Sequence, residues 1–384
     1  MKKIVLFFSI LLGIQLFAFS QNTSELKPYT DFLKNQNTTA KEYIFDLFKK
    51  YDIVILCERD HREMSQYNLI LDILRDDRFT KKIKNAYFEI GNSAYNDTLN
   101  HFLRDASLTD NQVTESVMSF QRDIHGAPFW EKANYSFYIE KVHGLNKKLS
   151  SKNKINIYGL DTGIYWPSAT EEDIRRRDSM MQSRDSVLAT NFVHYFDKQD
   201  TKKALIVLNF RHAFLRDLFG RENAGRFIAD TYKGKVANVY INSFGFKKDE
   251  ESKDVISAIQ DGKWDAAFIK AEKMDVGFDF AGTPFGSDSF DMIPFSSELR
   301  YSDMFTGFVY YCFLPSLRVT TGIDGFVDDQ FAPELMRRYQ LEQKVYNNEL
   351  PEIDKLKLKY NTVIETSYRE EFPAVVNQID KWLN

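Results

Sequence analysis

The chain of 384 residues is 43% hydrophobic and 15% aromatic, enough apolar material for a large core, which excludes an intrinsically disordered chain. Its formal net charge of −4 argues against a nucleic-acid or anionic-membrane partner recruited by bulk charge and leaves a small molecule, a neutral partner or another protein, of which a small-molecule substrate is the expected one. Its two cysteines are too few for a disulfide scaffold or a cysteine zinc site.

The first residues, MKKIVLFFSILLGIQLFAFSQ, give a short basic start, an apolar run from Ile4 to Phe19 and small residues ahead of Gln21. That order fits a secretory signal peptide spanning residues 1–20 better than a lone membrane anchor, for which the run is short and lacks a basic stop-transfer cluster. The expectation is an exported chain, periplasmic or secreted, with no membrane span after cleavage. Loss of Lys2 and Lys3 takes the net charge from −4 to about −6, further from any basic patch.

Six short apolar runs then predict strands: residues 53–57, 85–90, 155–160, 204–208, 236–241 and 305–312. Helical patterns lie between most of them, such as Met64 to Leu74 with apolar residues at 67, 70, 71 and 74. Alternation of this kind predicts an α/β fold with a central, largely parallel sheet flanked by helices. Helical insertions around 94–149 and 171–195 are expected to form a lid or layer, and residues 333–384 to close one domain of residues 21–384. Cys57 and Cys312 sit inside two of the strand runs, where a bond between them and buried free thiols are both open readings.

In an open α/β sheet ligands bind at the carboxyl ends of the strands. Here the first run ends in Glu58, Arg59, Asp60 and His61, the second in Glu89, the third in Asp161 and the fourth in Asn209, Arg211 and His212. If these strands are neighbours, the groups share one pocket, and so much buried charge exceeds structural need. The remaining histidines, His101, His125, His143 and His194, fall in helical or loop segments and are expected to be surface or packing residues. With no G-x-S-x-G elbow, glycine-rich phosphate loop or H-E-x-x-H, a serine nucleophile is not indicated. An imidazole and carboxylates that deprotonate water, or hold a metal, are what remain.

This order of motifs resembles the erythromycin esterase family, with its relatives the ChaN-type haem-binding lipoproteins and the Tiki metalloproteases. The resemblance is carried by Glu58 and His61 in ILCERDH, Glu89 in AYFEIG, Gly159-Leu160-Asp161 in IYGLD, His212 in VLNFRHAF, and the run from Arg184 to Phe192. It covers most of residues 50–245. Cys57 stands where the motif glycine is, Asn209 replaces the first histidine of a late H-x-x-H, and Asp60 and Arg62 flank His61.

The resemblance implies water attack on an ester, lactone or amide, with His61 as general base and Glu58 and Glu89 orienting it. His212 would polarise the carbonyl or stabilise the oxyanion, and Asp161, Arg59, Arg211 and Asn209 would contact substrate. No cofactor is needed in that reading. Two alternatives follow from the relatives: haem or another tetrapyrrole in a ChaN-type pocket, or a divalent metal held by His61, Glu89 and His212 in a Tiki-like peptidase.

Overall fold

The structure is a computed structural model that describes residues 24–384 except Gly126, Phe129, Phe219, Arg221 and residues 294–297. The expected signal segment lies outside the described residues. The described residues divide into two compact units, one within 41–241 and 318–366, the other within 24–40, 242–317 and 367–384. No helix among the described residues is long and apolar enough to cross a membrane.

The first unit is built on five strands: β1 (Ile53–Glu58), β2 (Asn85–Asn92), β3 (Asn156–Asp161), β4 (Ala204–Asn209) and β5 (Val236–Ile241). They lie in the order β3-β2-β4-β1-β5, and every pairing among them is parallel. Parallel strands covered by helices on both faces have no wet side. Accordingly β1, β2, β3 and β5 are buried at every position, which is why they read as unbroken apolar runs. Helices Ser65–Leu74, Asn96–Arg104, Asp110–Asp123, Asn134–Lys148, Glu171–Met181 and Arg184–Phe196 fill the connections. The expected α/β architecture with helical insertions is present.

The outer strand β3 has no strand on its far side within this order, and its backbone groups are met by three asparagine amides instead. Asn146 bonds both N–H and C=O of Ile155, Asn100 those of Ile157, and Asn96 those of Gly159, at 2.7 to 3.0 Å. These buried amides substitute for a neighbouring strand and cover an edge that would otherwise be unpaired.

The same unit carries helices Ala332–Tyr346 and Ile353–Asn361, and the short strands β10 (Arg318–Thr321) and β11 (Ile364–Ser367) pair as a separate two-stranded sheet. Phe326, Phe331, Leu335, Leu356 and Tyr360 form a local core there.

The second unit holds the helix over residues 24–34, an antiparallel hairpin of β6 (Phe244–Lys248) with β7 (Asp254–Ala258), and an antiparallel pair of β8 (Asp275–Asp279) with β9 (Gly307–Tyr311). Phe268 stacks on Tyr310 at 3.8 Å within an aromatic core that includes Phe278, Phe285 and Phe308. The helical tail expected over 333–384 is thus divided between the units, with β11 between its parts. Cys57 and Cys312 are both free thiols.

Candidate active site

The carboxyl ends of β1, β2, β3 and β4 are adjacent, with Glu58 of β1 in register with Asn209 of β4. Two turns of charged sequence therefore leave the sheet side by side. After β1 the four ionisable residues sort themselves by partner. Arg59 turns inward and pairs with Glu63 at 2.7 Å, both side chains wholly buried, while Asp60 pairs with Arg62 at 2.5 Å nearer the surface. The Gln66 amide closes this turn by bonding the carbonyls of Asp60 and Glu63. Only Glu58 and His61 remain for chemistry.

Nδ1 of His61 stands 2.6 Å from Oε1 of Glu58, a contact that departs from the in-plane line of an aligned ring hydrogen bond. The other oxygen of Glu58 accepts from the Tyr67 hydroxyl at 2.9 Å, and that hydroxyl accepts from the Asn134 amide at 2.7 Å. Burial, then the Glu58 charge, pushes the Tyr67 pKa up, so the phenol keeps its proton and donates. Burial alone would lower the His61 pKa, but the carboxylates of Glu58 and Glu89 raise it above 6.5. One edge of Trp130 meets the His61 ring at 5.4 Å, and the side chain is 15% exposed.

Glu89 reaches the same place through an irregularity. Between Phe88 and Asn92 the register of β2 against β3 shifts, four residues of β2 spanning two of β3. Such a bulge re-aims a side chain. The shift brings the β2 and β3 backbones into close approach, where a Cβ on Gly159 would lie 2.3 Å from the Gly91 carbonyl; only glycine fits. Glu89 accepts the Asn209 N–H at 2.6 Å and pairs with Arg184 at 3.0 Å. Burial opposes its charge, yet the imidazoles of His212 and His61, the Arg184 guanidinium and the Asn209 N–H hold its carboxyl well below the usual range. One oxygen each of Glu58 and Glu89 and one ring nitrogen of His61 lie within 4.8 Å of one another.

His212, on the turn after β4, is held differently. Its Nδ1 lies 2.6 Å from Asp185, and its Nε2 receives guanidinium N–H groups from Arg184 at 3.0 Å and Arg211 at 3.2 Å. Guanidinium nitrogens only donate, so Nε2 is an acceptor and the ring proton sits on Nδ1. His212 was expected to stabilise an oxyanion or to serve as a metal ligand; as held here, Nε2 has no proton to offer and both ring nitrogens are engaged. Glu58 takes that place in the three-donor set. Arg59 is likewise removed from the substrate contacts, because it is 1% exposed and committed to Glu63.

Asp161, at the end of β3, is bonded through Oδ2 to Arg184 at 2.8 Å, so Arg184 bridges Asp161, Glu89 and His212. Asn209 serves Glu89 through its backbone and turns its side-chain amide to the Arg59 carbonyl at 3.3 Å. Arg211 is exposed at the rim.

Three contributors carry no signal in the strand-end pattern. Arg184 and Asp185 open a helix, where the run Arg184–Phe192 is visible as a motif but suggests no chemistry. His125, expected to be packing or surface, stands at the site with Nε2 4.0 Å from Asp161 and its ring 5.2 Å from Trp130. Its Nδ1 accepts the Ala127 N–H at 3.0 Å. Burial first, then the charges of Arg184, Lys132 and Arg177, push its pKa down to about 4.

No protein-family model and no curated protein sequence matches the chain. Solved structures do. A succinoglycan biosynthesis protein matches with a TM-score of 0.51 at 9% identity, over 75% of this chain and 97% of that one. The likeness is one of fold. A Bacillus cereus protein, at a TM-score of 0.44 and 10% identity over 74% and 97% of the two chains, is a looser match. An erythromycin esterase mutant, EreC, in its open conformation matches to the same degree, at a TM-score of 0.44 and 13% identity over 70% of this chain and 92% of that one.

Proposed function

We propose that the chain is a hydrolase that opens an ester, lactone or amide with water activated by His61. The observation that carries this reading is the Glu58 carboxylate 2.6 Å from Nδ1 of a part-exposed imidazole, beside a second carboxylate kept ionised by its neighbours. In the proposed reaction the water oxygen bonds to the carbonyl carbon while its proton passes to Nε2 of His61. Glu58 stabilises the imidazolium so formed, and Glu89 holds the water through its negative charge. The proton then moves from His61 to the leaving oxygen or nitrogen as its bond to the carbonyl carbon breaks. Arg211, exposed and anchored through Nε to His212, is the cation placed to meet the developing oxyanion.

The test is turnover of a panel of esters and lactones by the wild-type chain and by His61→Ala. Hydrolysis by the first and its loss in the second support the reading; equal rates sink it. We further propose that the reaction takes place outside the cytoplasm, on the strength of residues 1–20. Fractionation should place the chain outside the cytoplasm with an N-terminus at Gln21, and a chain confined to the cytoplasm with Met1 retained would overturn export.

One observation favours a second reading, in which a divalent cation sits among Glu58, His61 and Glu89, whose donor atoms fall within 4.8 Å of one another. A nitrogen and two carboxylate oxygens suit zinc or manganese, and such an ion would supply Lewis acidity to a bound water. Elemental analysis of chelator-free protein separates the two: stoichiometric metal that Glu58→Gln abolishes favours this reading, and metal-free protein with full turnover removes it.

A further inference from the structure

Beside the cluster, and sharing Asp161 with it, is a cavity of about 260 Å³ bordered by His125, Asp161, Thr162, Arg177, Asp178 and Glu342. That volume is roughly eight water volumes, below the usual size of a drug-sized pocket and suited to a compact group. Ala127 and Met181 add an apolar border.

Its charges are already spent on one another. Arg177 bonds Glu342 at 2.9 Å and Asp178 at 2.9 Å, and Asp161 is held by Arg184 at 2.8 Å. An anion entering here would meet three carboxylates. A cation would meet the burial cost that, with Arg184, Lys132 and Arg177 and against Asp161, lowers the His125 pKa to about 4. Both signs of charge are disfavoured.

Two polar groups are left over. The Thr162 hydroxyl is buried, with Thr162 only 5% exposed, and has no hydrogen-bond partner among the described residues. Leaving such a group unmade costs about 1–3 kcal/mol, an expense that structures normally avoid unless a ligand completes it. The second is Nε2–H of His125. Nδ1 accepts the Ala127 N–H, so the proton is on Nε2, and the nearest carboxylate oxygen is 4.0 Å away, beyond hydrogen-bond reach. Both leftover groups can donate.

We propose that this cavity receives an uncharged, oxygen-bearing group of the substrate, the ring oxygen of a small lactone or the alkoxy oxygen of a short ester, through Nε2–H of His125 and the Thr162 hydroxyl. It rests on the hydrolase reading for the bound group's role as substrate. The proposal makes the site selective for neutral molecules over the carboxylates that hydrolysis releases, which favours product departure.

The test uses histidine-labelled His61→Gln protein, which binds without turnover, titrated with δ-valerolactone, with 5-hydroxypentanoate and with butylamine. The His125 ring resonance, assigned through His125→Gln, should shift saturably with the lactone and not with the other two. Thr162→Val should weaken lactone binding about tenfold, the worth of one hydrogen bond. It should also raise the melting temperature, because it deletes an unsatisfied buried hydroxyl; a hydroxyl with a purely structural role would lower it.

No saturable His125 shift with the lactone, an equal response to the carboxylate, or unchanged affinity in Thr162→Val would each overturn the proposal. Lactone binding with no turnover of any ester or lactone by the wild-type chain would keep the pocket and remove the hydrolase reading. Turnover unchanged by Thr162→Val and His125→Gln would do the reverse.

Discussion

His61 and His212 are delivered by neighbouring strands at matching ends of one sheet, each with a carboxylate 2.6 Å from Nδ1, yet they are built for different work. Nε2 of His212 is filled by two guanidinium groups; His61, 15% exposed, has no hydrogen-bond partner for Nε2 among the described residues. In the proposed reaction, what would separate a working imidazole from a positioning one is therefore not its position or its acid, but whether the second nitrogen is left uncommitted. Around His212 the Arg184 guanidinium ties three acidic or imidazole groups into one network; around His61 the supports stop at Glu58 and the Tyr67–Asn134 relay behind it.

The sharpest way to break this comparison is to remove one member of each half. His61→Ala should lower kcat/KM by about 10² to 10⁴ and leave stability nearly unchanged. Arg184→Met should instead cost about 3–5 kcal/mol of stability, because the Glu89 and Asp161 carboxylates stay buried without their cation; urea denaturation measures it. If the two variants lose stability to the same extent, the two halves are one structural network and the distinction fails.

The division between the halves also explains what the sequence shows and what it hides. Strands β1 to β5 are legible because a sheet buried on both faces demands unbroken apolar runs, and their ends are legible because charge follows directly. Hence Glu58, His61, Glu89, Asp161 and His212 can be placed before any coordinates. The strands β6 and β7, FGFKK and DVISA, are short and part-exposed, and their mixed composition carries no such signal.

Arg184 and Asp185 are hidden because a charged pair opening a helix reads as a solvated face; only the tertiary fold turns it inward. His125 lies in the irregular stretch HGAPFW, with no period to place it. Arg59 is a different case, since its spacing of four from Glu63 is itself a signature of a paired arginine, and weighing that spacing takes it out of the substrate contacts.

Acidity separates the imidazoles more finely. Because Glu58 and Glu89 outweigh burial and raise the His61 pKa, the rate should climb with pH through a value above 6.5 as His61 becomes free to accept a proton. Glu58→Gln should move that limb to lower pH. In stability the sign reverses: the protonated His61 is favoured by folding, so its contribution is full below about 6.5 and fades as pH rises through the folded value. His125, lowered to about 4, does the opposite, and its contribution is lost as pH falls from about 6.5 toward 4. Melting temperature against pH for wild type and His125→Asn should converge at low pH, and parallel curves would remove His125 from the balance.

The smallest expected effect is the most discriminating about what supports Glu58. Tyr67→Phe deletes one hydrogen bond to a carboxylate and leaves the Asn134 amide without its acceptor, which should cost about 1.5–3 kcal/mol of stability and less than tenfold in kcat/KM. Its effect on the pH profile has a definite sign. A carboxylate that loses a donor holds its negative charge more locally and attracts the imidazolium proton more strongly. The acidic limb should therefore shift slightly upward, opposite to the shift from Glu58→Gln, although both variants weaken the same side of His61. If Tyr67→Phe shifts it downward as well, the Tyr67 hydroxyl holds Glu58 in the place from which it raises the His61 pKa rather than sharing its charge.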